Sequence, residues 1–163
     1  LLLLGMVEGV PPKLYAAQAS GCAPIVQTIW DRADIVKPVK PNTIAKSLAI
    51  GNPADGYYAT KAVLDSGGWA EAATDTEIVE AMKLLAETEG VFTETAGGVT
   101  LAAMQKLIAR GTLPRDESIV LCITGNGLKT QEPLMGRVGE ATRIKPTLAS
   151  FESQLANQLA EVT

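Results

Sequence analysis

The sequence predicts an α/β fold of three layers, a mainly parallel sheet with crossover helices on both faces. Three observations carry this. Short strand-like runs alternate with amphipathic helical patterns, in the order strand, helix, helix, strand, helix, strand, helix, strand, helix. That alternation is the mark of βαβ crossovers feeding a parallel sheet. The run 119–123 (IVLCI) is continuously apolar and rich in β-branched residues, as a strand buried on both faces requires. Aromatics make up only 4% of a chain that is 47% hydrophobic, so the core is one of Ala, Val, Leu and Ile packing. At 163 residues the chain has the size of one ordinary domain, and residues 1–163 read as a single α/β segment.

The elements follow in order. Residues 1–4 (LLLL) read as the last turn of a helix that begins upstream, which marks the chain as a segment of something longer. Residues 14–20 have the length and bounds of a strand. A helix over 24–32 accepts Pro24 in its first turn and places Ile25, Val26 and Ile29 at helical spacing. Residues 34–53 are irregular, broken by Pro38, Pro41 and Pro53, and longer than an ordinary connection, which points to a functional loop. A helix over 54–66 carries Tyr57, Tyr58, Ala62 and Val63 and stops at Gly67 and Gly68. A short strand over 69–73 leads to Thr74, and Thr74 with Glu77 makes a capping box. The helix it opens presents Ile78, Val79, Met82 and Leu85 on one side and ends at Gly90. Residues 91–93 suggest a brief strand. The next helix sets Leu101, Met104, Leu107 and Ile108 on one face, with Gly111 just past its end. The strand 119–123 follows. A final helix from about Ser150 carries Phe151, Leu155, Leu159 and Val162 on one face.

Composition removes several functions. The net charge is −4 and no basic stripe is present, which argues against nucleic acid as a partner. The scarcity of aromatics also removes the stacking platforms of single-strand binders. No apolar run is long enough to span a membrane. There is no histidine, which excludes Ser-His-Asp and Cys-His nucleophile systems and HExxH zinc sites; no metal site is expected. Acid–base work falls to carboxylates, Lys129, tyrosine or a borrowed cofactor. Cys22 and Cys122 are far apart and form no CxxC pair, so they read as reduced thiols of a cytoplasmic protein.

A parallel sheet lines its strand ends along one edge, where ligands of open α/β sheets bind. That edge collects Ser20, Thr74 and Asp75, Glu94 and Thr95 with Gly97 and Gly98, and Thr124, Gly125 and Asn126. Helices starting from it favour anions. Gly125 and Gly127 let backbone approach a ligand closely. Glu94 is either a working carboxylate or the ordinary charge of a helix N-terminus. The glycines around Asn126 suit a phosphate nest but fall short of a P-loop. Lys129 has the type of a Schiff-base lysine, but its setting is that of a solvated lysine on an outgoing loop.

Three motifs stand in sequence: SLAIGNP at 47–53, VFTETAGGVT at 91–100 and ITGNGLKT at 123–130, after an AAQASGCAP run at 16–24. Together they resemble the C-terminal half of the threonine synthases, members of the pyridoxal-phosphate enzymes with the tryptophan-synthase-β-like fold. The resemblance covers nearly the whole chain. It implies conversion of O-phospho-L-homoserine and water to L-threonine and phosphate, a carbon–oxygen lyase acting on phosphates. It implies that Thr124 hydrogen-bonds the pyridine nitrogen of pyridoxal 5'-phosphate, leaving the ring nitrogen largely unprotonated, with Gly125 and Asn126 beside it. Glu94 matches a carboxylate near the ring, and Ile50 and Gly51 match a segment close to the ring face. Lys129 belongs to the ITGNGLK motif and is not the family's Schiff-base lysine. That lysine, the aldehyde-side asparagine, the substrate loop and the phosphate cup belong to the family's N-terminal motifs, and none occurs in this sequence. The expectation is one wall of a cofactor pocket, inactive alone, holding the cofactor only weakly, with self-association through uncovered surface. Another enzyme of the same fold group, such as a threonine dehydratase, and a non-catalytic binding module are the alternatives.

Overall fold

The computed structural model describes residues 4–6, 8–9, 12–139 and 141–162, with side chains of the final helix described as far as residue 156. The chain divides into two compact units, Leu1–Pro133 and Leu134–Thr163. The N-terminal turn expected over 1–4 lies, except for Leu4, outside the described residues.

The first unit is built on two parallel strands, β1 (Ala16–Ala19) and β2 (Ala70–Ala73), with Ala16 opposite Ala70 and Ala19 opposite Ala73. Two helices connect them, α1 (Pro24–Trp30) and α2 (Gly56–Asp65). After β2 come α3 (Asp75–Glu89) and α4 (Thr95–Ala109). Strand side chains alternate between faces, and this sorts the layers. Ala70 and Ala72 join Val26, Ile29 and Val63 in one buried cluster with α1 and α2. Glu71, between them, meets Lys106 of α4 and Arg110 at its C-cap on the opposite face. Helices thus cover both faces of the sheet, as the sequence implies.

Local chemistry sets each helix end. Ala23 precedes α1 and has no side chain to cap it; Gln18 of β1 does so instead, its Oε1 accepting from the amides of Ile25 (2.9 Å) and Val26 (3.0 Å). Trp30 at the other end donates its indole N–H to the Ala70 carbonyl (2.9 Å). At α3 the Thr74–Glu77 capping box forms in both directions, and Gly90 closes the helix at φ 67°. Helix α4 lies close on α3 at Gly98, where a Cβ would come 2.6 Å from the Ile78 carbonyl oxygen and 2.7 Å from Met82 Cγ.

Two expected strands are absent. Residues 91–93 contribute only an isolated bridge, Thr93 with Asn126. Residues 119–123 lack any ladder partner among the described residues, and Val120 is 88% exposed. An apolar β-branched run states a burial preference, whereas a strand is a property of a pair. With no neighbouring strand to bond it, the run lies outside the sheet. The sheet of the described residues therefore has two strands rather than four.

In the second unit, α5 (Leu148–Val162) begins close to the expected start, and Phe151 and Leu155 are exposed. The expected positions of Leu159 and Val162 on its apolar face lie outside the described side chains. Among the described residues, no helix is long and apolar enough to cross a membrane.

Candidate functional site

Two segments meet at the start of α4. The connection after Gly90 delivers Phe92, Thr93 and Glu94, and the chain returns at 124–130 to lie against them. The Glu94 amide donates to the Gly125 carbonyl (3.0 Å), and the Gly127 amide to the Phe92 carbonyl (2.9 Å). The Thr93 hydroxyl also donates to the Gly125 carbonyl (3.1 Å). Three glycines make this approach possible. A Cβ on Gly125 would collide with the Glu94 carboxylate, one on Gly127 would press into the Phe92 ring, and one on Gly97 would meet the Thr93 hydroxyl. Asn126 steadies the returning turn, its Oδ1 accepting from the Leu128 amide (2.9 Å) at the head of the 3-10 turn Gly127–Lys129.

Glu94 holds the N-cap position of α4, yet its side chain caps nothing there. The carboxylate is buried instead, 6% exposed, and faces the ammonium of Lys129 at 3.3 Å from Oε1 and 3.1 Å from Oε2. The contact to Oε2 is an ion pair without hydrogen-bond alignment. Lys129, expected as a free solvated lysine, is 61% exposed but paired. Thr95 and Thr130 hydroxyls lie buried beside these segments without a hydrogen-bond partner among the described residues. Native interiors rarely leave such groups unpaired, and an ordered water or a bound group would satisfy them.

Thr124 itself is exposed, and no hydrogen bond among the described residues uses its hydroxyl. The carbonyl of its neighbour Gly125 is held by two hydrogen bonds, so a free hydroxyl stands on an anchored backbone. Ile50 and Gly51 belong to a separate loop; Ile50 is 58% exposed, and Gly51 is half-buried with its carbonyl accepting from the Val39 amide (2.9 Å). That loop is fixed to the strand-end edge. Asp75 at the start of α3 accepts from the Thr43 hydroxyl (2.6 Å) and the Ile44 amide (3.3 Å), the Asn42 amide donates to the Gly21 carbonyl, and the turn Lys46–Leu48 packs on α4. The structure therefore brings Glu94, Gly125 and Asn126 together, with Thr124 adjoining. No hydrogen bond among the described residues joins Ile50 or Gly51 to them. The anchoring role of Asp75 and the pairing of Lys129 escaped sequence reading, because each depends on a partner distant in the chain.

Electrostatics at the edge is shaped by Glu77. Burial pushes its carboxyl up, but the Thr74 amide, the Lys106 ammonium and the Thr74 hydroxyl together outweigh this and hold it below the usual carboxylate value. No group of three or more metal-ligating side chains occurs among the described residues.

Residues 2–125 match the model of the pyridoxal-phosphate dependent enzyme family. The chain is 42% identical over 144 residues to the threonine synthase of Methanocaldococcus jannaschii, covering 88% of this chain and 35% of that protein. It is 38% identical over 154 residues to the threonine synthase of Methanosarcina acetivorans, covering 94% of this chain and 38% of the relative. The chain thus spans little more than a third of the length of these curated relatives. Maize serine racemase has a similar structure, with a TM-score of 0.59 at 24% identity over 77% of this chain and 39% of that one; this likeness bears on the fold alone.

Proposed function

The chain belongs to the pyridoxal-phosphate-dependent enzymes, and from that premise we propose that it is the C-terminal part of a threonine synthase, supplying one wall of the cofactor pocket. The whole enzyme would convert O-phospho-L-homoserine and water to L-threonine and phosphate, in the cytoplasm. The observation that carries the reading is the clasp between the two motif segments: Glu94 and Thr93 hold Gly125, and the unengaged hydroxyl of Thr124 stands next to it.

The donor set suits the cofactor. Thr124 offers a neutral hydroxyl, able to donate one hydrogen bond to a pyridine nitrogen without protonating it. Gly125 and Asn126 would line the ring beside it, Glu94 would lie behind them, and Ile50 with Gly51 would approach from the loop held by Asp75. When bound, pyridoxal phosphate supplies the electron sink for the chemistry at the substrate's carbons. The residues of this chain orient the ring and set the hydrogen bond at its nitrogen. No lysine here matches the family's Schiff-base lysine, so the 163-residue polypeptide is expected to be inactive by itself and to bind the cofactor weakly.

Phosphate release from O-phospho-L-homoserine by the full-length protein tests the reading. Thr124→Ala should lower kcat about tenfold, the worth of one hydrogen bond, and Thr124→Ser should retain most of it. Ammonia release from threonine without phosphate release from O-phospho-L-homoserine would replace the reading with a dehydratase. Absence of both activities, in a protein that folds, would replace it with a binding module.

A further inference from the structure

We propose that Lys129 is a positioning residue, which holds the Glu94 carboxylate in place and through it fixes the backbone that presents Thr124. This rests on the assignment of Thr124 to the cofactor ring. The geometry is that of a turn wound around a charge. The Glu94 carboxylate fills the space that a Cβ on Gly125 would occupy, and its own amide holds the Gly125 carbonyl. Four residues further on, the same turn delivers the Lys129 ammonium to both carboxylate oxygens, at 3.3 and 3.1 Å. The Glu94 side chain is 6% exposed, and no other cation pairs with it among the described residues.

A nearly buried carboxylate without a partner carries a large desolvation cost. Lys129, itself 61% exposed, relieves that cost while keeping its stem in solvent. Without the ammonium, the relief open to Glu94 is to swing out to water. That motion empties the space behind Gly125 and removes the packing on one side of the backbone joined to Thr124, leaving it held by the hydrogen bonds to the Gly125 carbonyl alone. The lysine therefore acts on the ring through Glu94, the Gly125 backbone and Thr124, touching neither the cofactor nor the substrate.

The test is pyridoxal phosphate affinity of the full-length protein, read by absorbance of the bound cofactor. Lys129→Met should weaken binding about tenfold, the scale of a lost charge-assisted hydrogen bond, and Lys129→Arg should restore it to within about threefold. In a Thr124→Ala background Lys129→Met should add less than about twofold, because the hydroxyl it positions is gone. Should Lys129→Met not fold, the Glu94→Gln background, which removes the buried charge, keeps the comparison available, and there too Lys129→Met should be silent. An effect below twofold in the single variant, or an effect of undiminished size in either background, overturns the proposal. The readout does not require turnover. A protein that shows this pattern but releases no phosphate from O-phospho-L-homoserine loses the threonine synthase reading and keeps the role of Lys129. Independent effects in an active threonine synthase remove the role of Lys129 alone.

Discussion

The guanidinium of Arg110 pairs with the carboxylate of Glu71 across the interface between α4 and β2, and the two residues differ sharply in exposure, 55% against 1%. Lys106 supports the same carboxylate at 3.9 Å while donating to the Ala72 carbonyl (2.7 Å) and to Glu77 (3.0 Å). A charge in the middle of a strand is thus tied to the last turn and the C-cap of α4. Arg110→Met should destabilise the fold by about 2 kcal/mol, less than the cost of breaking a fully buried pair because the arginine is half in water. Urea unfolding measures it; a loss below about 0.5 kcal/mol would show the pair to be dispensable.

Gly98 should not tolerate a methyl group. Alanine in place of glycine within a helix ordinarily gains about 1 kcal/mol. Here the new Cβ meets the Ile78 carbonyl oxygen of α3, a backbone atom that cannot turn aside. Gly98→Ala should therefore lower stability by about 1–3 kcal/mol, seen as a lower denaturation midpoint. A stabilised variant would mean that α3 and α4 can part without cost.

Acid should weaken the edge through Glu77. Its carboxyl is held below the ordinary value of 4.5 in the folded chain. The stability it contributes is therefore full above that ordinary value and is lost as pH falls through the depressed folded value. Glu77→Gln should flatten the dependence of stability on pH in that acid window while lowering stability near neutrality. Denaturant midpoints collected from pH 7 down to pH 3 measure both effects, and parallel curves for the two proteins would remove Glu77 from the account.

The 163-residue polypeptide should self-associate. Val120, Leu128 and Ile119 are exposed to 88%, 69% and 37%, on and beside an apolar run whose backbone has no ladder partner among the described residues. Such a stretch is prone to pair with another chain. Sedimentation should report species larger than the monomer, and Val120→Lys should shift them toward it. A monodisperse monomer with unmodified Val120 would refute this.

What the sequence made legible was local. The capping box of Thr74 and Glu77, the stop at Gly90, the stripe of Ile78, Val79, Met82 and Leu85, and the parallel relation of β1 and β2 all rest on near neighbours or on element order. The run 119–123 failed because its composition speaks for burial and is silent about a bonding partner. Within the site, Glu94 and Gly125 were placed together as ends of strands in one sheet; they do meet, but through backbone hydrogen bonds between two loop segments rather than along a sheet edge. Lys129 did not, since its exposure was read correctly and its reach to a residue on another segment was invisible. Glu71 escaped for the same reason: a lone carboxylate among alanines gives no hint that Arg110 and Lys106 wait on a later helix.

The pairing of β1 with β2 has a consequence for the time course of folding. Ala16 must find Ala70 across the whole of α1, the long loop and α2, a contact of large sequence separation that slows folding. Helices α3 and α4, joined by only a short connection, should meet before the strands pair and give them a surface to condense on. Alterations at their contact, as at Gly98, should retard folding, while alterations that loosen Ala17 or Ala72 should chiefly hasten unfolding.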